Sequence, residues 1–124
     1  MQFNQSQAIY LQIADYVCDR VQTGQLKPED RAPSVRELAV TLEVNPNTVM
    51  RSYEHLQQQG IIYTKRGLGY YISEDALQKL NGQRRNQFLQ EELPAFFHKI
   101  HLLGIELDEL KERYDAFKAQ HSNP

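Results

Sequence analysis

The chain has 124 residues, of which 40% are hydrophobic, and its formal net charge is -2. A chain of this length can bury one modest core, so we expect a single compact domain with a short extension. The net charge excludes a protein that is basic throughout, so any contact with nucleic acid depends on where the cations lie.

Cysteine content and hydropathy narrow the class of protein further. Cys18 is the only cysteine, so neither an intrachain disulfide nor a cysteine-based zinc site can form. No apolar run approaches the roughly 20 residues that span a bilayer, and the polar start MQFNQSQ lacks the regions of a signal peptide. We therefore expect a soluble, cytoplasmic protein that does not act at a membrane.

The first predicted element is an amphipathic helix from about Ala8 to Thr23, before Gly24 as a C-terminal stop. Its apolar residues recur at four-residue steps and predict one buried face: Ile9, Ile13, Val17 and Val21. The next segment, QLKPEDRAP, places acidic residues between two prolines. This composition predicts an irregular connection.

Two short helices with well-marked starts follow. Ser34 and Glu37 of SVRE form a capping box, in which each side chain satisfies a backbone amide at the helix start. The next helix begins with Asn45 as N-cap and Pro46 as its first residue. Because a turn of about three residues joins them, the spacing predicts a helix-turn-helix.

A β-hairpin completes the predicted domain. After Gly60, the runs IIYTK and YYIS flank the glycine-containing turn RGLG and predict two short strands. We therefore predict a mainly α fold with a small β-hairpin: a winged helix-turn-helix domain over residues 1-73. Helix 46-59 is its recognition helix and hairpin 61-73 its wing. Residues 74-124 are predicted to form a short two-helix C-terminal dimerisation tail.

The exposed face of the recognition helix carries side chains suited to DNA bases. A rotation of about 100° per residue places Asn47 and Arg51 opposite Val49, with Thr48 to one side. The second helix of a helix-turn-helix enters the major groove N-terminus first, and Asn and Arg suit paired contacts with adenine and guanine edges. The alternative is an ordinary solvated helix face.

Other side chains near these elements suit the DNA backbone. The Ser34 hydroxyl and the free amides of both helix starts favour phosphate oxygens. Arg36, Lys65 and Arg66 are placed to hold phosphates on either side. The alternatives are that Arg36 pairs with Glu37 or covers apolar surface, and that the two wing cations are a solvated hairpin tip.

Four segments resemble the N-terminal domain of GntR-type bacterial transcription regulators: IYLQIADYV, GQLKPEDRAPSVRELA, VNPNTVMRSYEHL and GIIYTKRGLGYY. The NPNTV form with a short tail is similar to the YtrA-like subfamily. The resemblance implies a winged-helix domain that binds operator DNA as a dimer, often as a repressor. It also implies DNA contacts by Arg36, Asn45, Asn47 and Thr48, with Gly67 at the wing tip approaching the minor groove.

The sequence departs from the family pattern at several positions. Met50 lies where many relatives carry arginine, so Arg51 is assigned from its outward direction rather than from the resemblance. Glu29 and Glu43 replace glycines in turns, and Ala32 lies where leucine is usual. A positive φ at Glu43 costs roughly 1 kcal/mol.

The tail is helical by pattern and too apolar to remain uncovered. A long helix through Leu103, with Gly82 and Pro94 as weak points, precedes a short helix over IELDELKERYDAF. We predict that one apolar stripe forms a homodimer contact: Leu77, Leu80, Phe88, Leu93, Phe96, Phe97, Ile100 and Leu103. The alternative is packing against the chain's own winged helix. A homodimer predicts an inverted-repeat operator with half-sites about one helical turn, roughly 34 Å, apart.

The sequence offers little for catalysis. His98 and His101 lie three residues apart, but no cysteine or carboxylate completes a metal site, and no histidine is close in sequence to Cys18. We predict a non-enzyme without cofactor or metal; no small-molecule effector is identified. The predicted function is sequence-specific regulation of transcription on double-stranded operator DNA. The alternative is a winged-helix dimer used as a protein-interaction or scaffolding module.

Overall fold

The computed structural model describes residues 2–121. They divide into two compact units, the first ending at Gln83 and the second beginning at Arg84. Helix α4 (Ala76–Gln87) continues across this boundary. The predicted fold class, mainly helical with one antiparallel two-stranded hairpin, is confirmed.

Helix α1 (Ile9–Gln22) begins the first unit and turns one face to its core. That face consists of Gln12, Ile13, Ala14, Val17, Cys18 and Val21. The buried amide of Gln12 is fully used, because its Oε1 accepts from the Asn4 amide at 3.0 Å while its Nε2 donates to the carbonyls of Asn4 and Gln7. The prediction that Ile9 joins the buried face is wrong. Its side chain is 46% exposed, because it is the first helical residue and borders a surface depression.

Helices α2 (Val35–Leu42) and α3 (Pro46–Gln58) form the predicted helix-turn-helix. The turn between them requires a left-handed backbone at Glu43, which has φ 57° and ψ 49°. Only glycine adopts this conformation without steric cost, so Glu43 keeps it against a penalty of roughly 1–2 kcal/mol. The sharp turn allows α3 to start only a few residues after α2 ends.

Both predicted helix caps are confirmed. The Ser34 hydroxyl accepts from the Glu37 amide at 3.1 Å, and the Glu37 carboxylate accepts from the Ser34 amide at 3.4 Å. The Asn45 side chain accepts from the Asn47 amide at 2.8 Å. Each cap satisfies amides that the helix itself leaves without a partner, which fixes the first residue of α2 and of α3.

The wing consists of strands β1 (Ile62–Lys65) and β2 (Gly69–Ile72), which pair from Ile62 opposite Ile72 to Lys65 opposite Gly69. The connection that the sequence predicts to be irregular is ordered along β2. Its backbone exchanges hydrogen bonds of 2.8–2.9 Å with this strand, and Arg31 forms an isolated bridge to Tyr71. The segment around Arg31 therefore pairs with β2 like a short third strand of the wing.

One hydrophobic core fills the first unit. The predicted stripe of α3 is confirmed, because Val49, Tyr53 and Leu56 are each 0% exposed. Full burial of an apolar side chain of this size contributes roughly 1.5–3 kcal/mol. Across residues 2–121, no buried side-chain nitrogen or oxygen lacks a hydrogen-bond partner. The scaffold that carries α3 and the wing is therefore well packed.

The second unit comprises the end of α4, a π-helical turn (Phe88–Glu92), α5 (Leu93–Leu102) and α6 (Leu107–His121). The Leu93 amide donates to the Phe88 carbonyl, five residues earlier. Pro94 cannot donate an amide, and a wider turn beside it is one way to adjust the hydrogen-bond ladder. The predicted long helix thus changes geometry next to Pro94, while Gly82 stays within α4.

Large apolar side chains remain exposed in the second unit. Ile100, at 9%, is the one buried apolar residue among those described there. The exposed ones lie on the π-helical turn, on or just after α5, and on α6: Phe88, Leu89, Phe96, Phe97, Leu102, Leu103, Leu107, Tyr114 and Phe117. In the described part of the chain, no helix has both the length and the apolar character to cross a membrane.

Candidate nucleic-acid interface

The start of α3 brings together three of the predicted contact residues. Asn47, Thr48 and Arg51 border one surface depression of about 300 Å³. Asn47 and Arg51 are exposed and Thr48 is half-buried. Asn45 lies one residue before the helix, with its side-chain oxygen engaged in the cap. The first two turns of α3 therefore present amide, hydroxyl and guanidinium groups on one side.

The orientation of α3 is fixed by two buried polar contacts. Ser52 is 0% exposed, and its Oγ lies 2.7 Å from the carbonyl oxygen of Tyr10 on α1. The Tyr53 hydroxyl donates to the carbonyl of Pro33 at 2.6 Å, and burial raises the pKa of Tyr53 above its ordinary value. A neutral phenol keeps this hydrogen bond at all physiological pH values. Rotation of α3 would break both contacts, so the direction of its exposed face is specified.

Arg51 is held by an aromatic ring rather than extended freely into solvent. Its guanidinium carbon lies 3.9 Å from the centroid of the Tyr10 ring. The ring of His55 approaches the same tyrosine edge-on, with the centroids 6.1 Å apart. Sequence reasoning assigned Arg51 but missed Tyr10, because the contact joins two helices that no local pattern relates.

The start of α2 supplies the second group of predicted contacts. Ser34 is half-buried, and because its oxygen accepts from the Glu37 amide, its hydroxyl hydrogen remains available to a further acceptor. Arg36 is exposed on the first turn of the helix. The Glu37 carboxylate faces the Ser34 amide. This arrangement places one cation and one hydroxyl at a helix N-terminus, where a phosphate oxygen is favoured.

The wing carries the remaining predicted contacts at its tip. Lys65 ends β1, with its Nζ 4.3 Å from the centroid of the Tyr71 ring. Arg66 and Gly67 are exposed in the turn, where Gly67 has φ 76°. A positive φ without a side chain lets the tip approach another surface closely.

Arg31 is a further cation on the wing that sequence reasoning did not include in the site. A Cβ at Gly69 would lie 3.3 Å from its Nε, so the Arg31 side chain extends directly across this glycine. The sequence signal was weak, because Arg31 lies between Pro28 and Pro33 in a segment that predicts no strand. Its pairing with Tyr71 is visible only in three dimensions.

The predicted dimerisation residues do not all lie on one surface. Leu80 is 3% exposed and belongs to the core of the first unit, so its side chain is not available to a second chain and its assignment is corrected. Leu77, on the same helix, is 41% exposed. In the second unit, Phe88, Leu93 and Phe96 line an apolar groove of about 740 Å³ together with α6. Phe97 and Leu103 are exposed and Ile100 is buried.

The apolar groove is lined by large side chains on both of its sides. The α6 side consists of Leu107, Leu110, Lys111, Arg113, Tyr114 and Phe117. Lys111 pairs with Asp115 at 2.9 Å and Arg113 with Glu109 at 3.5 Å. Both cations of the lining therefore have an acidic partner on α6, and the other lining residues are apolar or aromatic. His98 and His101 are exposed on α5, and residues 2–121 contain no group of three or more potential metal ligands.

Comparisons with known proteins agree with this arrangement. Residues 9–72 match the family model described as bacterial regulatory proteins, gntR family. The HTH-type transcriptional regulator YhcF of Bacillus subtilis is 38% identical over 116 residues, which cover 94% of each chain. The HTH-type transcriptional repressor YtrA of the same organism is 41% identical over 107 residues, covering 86% of this chain and 82% of YtrA. A crystal structure of a GntR-family regulator from Bacteroides thetaiotaomicron is 48% identical, with a TM-score of 0.78 and coverage of 94% and 100%.

Proposed function

Because this chain belongs to the YtrA-like branch of the gntR family of bacterial regulatory proteins, and is a winged-helix DNA-binding regulator, we propose that it represses transcription as a homodimer on an inverted-repeat operator. In this proposal α3 lies in the major groove and the wing follows the adjacent DNA backbone. Its action on chromosomal DNA would take place in the cytoplasm.

The polar side chains on the first two turns of α3 are the observation that carries the proposal. Asn47, Thr48 and Arg51 lie around one depression, with Arg51 stacked on Tyr10. An asparagine reads adenine and an arginine reads guanine through paired hydrogen bonds, and each such pair discriminates by roughly 1–3 kcal/mol. Because buried contacts fix the helix below them, these side chains reach the groove in one register.

Backbone contacts position the domain in this proposal. Arg36 and the Ser34 hydroxyl bind phosphate at the start of α2, and Asn45 lies at the start of α3. At the wing, Lys65 and Arg66 bind phosphate while Gly67 approaches the minor groove. Each cation that neutralises a phosphate releases a counterion, so affinity falls as salt rises.

A second copy of the chain is the proposed occupant of the apolar groove in the second unit. The groove of about 740 Å³ and the exposed Phe96 and Phe97 leave large apolar side chains in solvent, and such surface commonly marks a contact with another protein. A twofold axis through this contact would present two recognition helices to two half-sites. The inverted repeat follows from that symmetry.

Repression is supported by the relative YtrA, which is named a transcriptional repressor. A dimer of this kind represses when its operator overlaps a promoter, because bound protein and polymerase exclude each other. In vitro transcription from a promoter that overlaps the selected operator tests this step. Transcript that falls as dimer is added supports repression, whereas transcript that rises would contradict it.

The DNA-binding part is tested by selecting operators from random duplexes and then measuring anisotropy with the best duplex and a scrambled one. We expect a preference of about 10³-fold for the selected DNA. Arg51→Ala should reduce its affinity roughly 10–100-fold. Arg20→Ala is a matched control, because Arg20 also stacks on a tyrosine of α1 but lies outside the candidate surface.

Lys65→Ala tests the contacts to phosphate. It should weaken binding to both the selected and the scrambled duplex, and it should lower the slope of log affinity against log salt concentration by about 1. Equal binding to every duplex would overturn the proposal and favour a protein-interaction module.

A further inference from the structure

The contact between Arg51 and Tyr10 joins the recognition helix to the first turn of α1. The guanidinium carbon lies 3.9 Å from the ring centroid, well inside the range of about 6 Å for a cation–π interaction. Arg51 is exposed and Tyr10 half-buried, so the ring forms a base on which the cation rests. Both residues border the same depression as Asn47 and Thr48.

Tyr10 is itself held by α3 at two further points. Ser52, the neighbour of Arg51, places its Oγ 2.7 Å from the Tyr10 carbonyl oxygen. His55, one turn later, meets the Tyr10 ring edge-on at an interplanar angle of 82°. The backbone and the ring of Tyr10 are therefore both fixed relative to the helix that carries Arg51.

This arrangement restricts an otherwise flexible side chain. A free arginine loses rotamer entropy when it binds a base, and this loss lowers the affinity. A guanidinium stacked on a ring has already lost part of that freedom. Its N–H groups lie in its own plane, so stacking on one face leaves them available to a guanine edge.

We propose that Tyr10 is a positioning residue for DNA recognition, which holds the Arg51 guanidinium in its base-reading orientation before DNA arrives. The inference rests on the proposed function, because it assigns Arg51 to a base. It concerns the ring of Tyr10 and not its hydroxyl. The Ser52 contact uses the Tyr10 backbone, so replacing the side chain leaves that link between α1 and α3 in place.

The first experiment examines the free protein. Ring current from Tyr10 should move the Arg51 Hδ and Hε resonances upfield in NMR spectra. Tyr10→Phe should keep that shift and Tyr10→Leu should abolish it. Arg20 provides an internal reference, because its guanidinium carbon lies 3.7 Å from the centroid of the Tyr16 ring. Neither substitution should change the chemical shifts of Arg20. An Arg51 resonance at its random-coil position in the unsubstituted protein would overturn the inference.

The second experiment is a double-mutant cycle on the selected operator. Tyr10→Leu should reduce operator affinity about 3–10-fold, with little change on scrambled DNA. Tyr10→Phe should bind within about 2-fold of the parent, because it keeps the ring. Tyr10→Leu should have no further effect in an Arg51→Ala background. Tyr16→Leu removes the matched stacking partner of Arg20 and should leave operator affinity unchanged.

The outcomes separate this inference from the proposed function. If the parent protein shows no preference among DNA sequences, the proposed function fails and the positioning role fails with it. If the parent and Arg51→Ala behave as proposed, two results overturn the inference alone. One is an equal loss of operator affinity in Tyr10→Phe and Tyr10→Leu, which would assign the effect to the hydroxyl. The other is a full Tyr10→Leu loss that persists without Arg51. Urea unfolding midpoints for each variant identify any loss that comes from the fold.

Discussion

The two units of the chain use apolar residues in opposite ways. The first unit gathers seventeen buried apolar residues from α1, α2, α3, the wing, their connections and α4 into one core. The second unit has Ile100 as its one buried apolar residue among those described, while its phenylalanines stay 44–55% exposed. The first unit is therefore specified by its own contacts. The second has apolar surface left for a partner.

The two units also differ in how far apart in sequence the residues joined by polar contacts lie. In the first unit they connect residues far apart in sequence, such as Ser52 with Tyr10 and Tyr53 with Pro33. The ion pairs described on α6 join residues three or four positions apart, for example Lys111 and Asp115. Such exposed helix pairs contribute only about 0.3–0.5 kcal/mol each. They stabilise a helix without fixing how helices pack.

The largest expected effect breaks the core of the first unit. Leu56→Ala on α3 should lower the free energy of unfolding by about 2–5 kcal/mol, because Leu56 is 0% exposed and its loss leaves a cavity. Val40→Ala on α2 is the control, since Val40 is 78% exposed. Its effect should stay within about 0.5 kcal/mol. Urea denaturation checks both; similar losses in the two variants would contradict a single core centred on α3.

The next effect concerns the groove of the second unit. Phe96→Glu should raise the dissociation constant of the proposed dimer about 100-fold, because it places a charge in the apolar groove that a second copy would cover. Leu68→Glu, at a wing position that is 59% exposed, should leave dimerisation unchanged. Sedimentation velocity across a concentration series measures both. A dimer that survives Phe96→Glu would show that the groove is not the contact between copies.

Local signals in the sequence predicted much of the first unit. The caps at Ser34 and Asn45 and the α3 stripe could be predicted because they depend on residues within a few positions of each other. The hairpin followed from RGLG between two apolar runs. The same local reasoning placed Asn47 and Arg51 outward, where the structure has them.

Contacts between distant segments could not be predicted. The stacking of Tyr10 on Arg51 depends on how α1 crosses α3, and no periodicity within either helix contains that information. Arg31 joins the wing through backbone pairing with Tyr71, forty positions later. Leu80 matches the apolar stripe of the tail, yet it is buried because α4 begins inside the first unit. Apolar periodicity shows which face of a helix is covered, but it does not show which segment covers that face.

A smaller effect concerns the two glutamates with a left-handed backbone in the first unit. Glu43 has φ 57° and Glu29 has φ 71°. Glu43→Gly should raise the free energy of unfolding by about 1 kcal/mol, because glycine adopts this conformation without steric cost. Glu29→Gly should gain less, since it also removes the hydrogen bond that the Glu29 carboxylate accepts from the Tyr63 hydroxyl. Equal gains in urea denaturation would mean that this hydrogen bond contributes nothing.

The smallest effect is a change in titration on the wing surface. The hydrogen bond to Glu29 raises the pKa of the Tyr63 phenol from its ordinary value of 10.0 to about 12. A pKa raised in the folded state means that the bond contributes stability below pH 10 and loses it as the pH rises towards 12. Glu29→Gln should return the pKa of Tyr63 towards 10.0, as followed by NMR of its ring carbon, while Glu54→Gln leaves it unchanged. An unchanged pKa in Glu29→Gln would show that the carboxylate does not hold the wing through Tyr63.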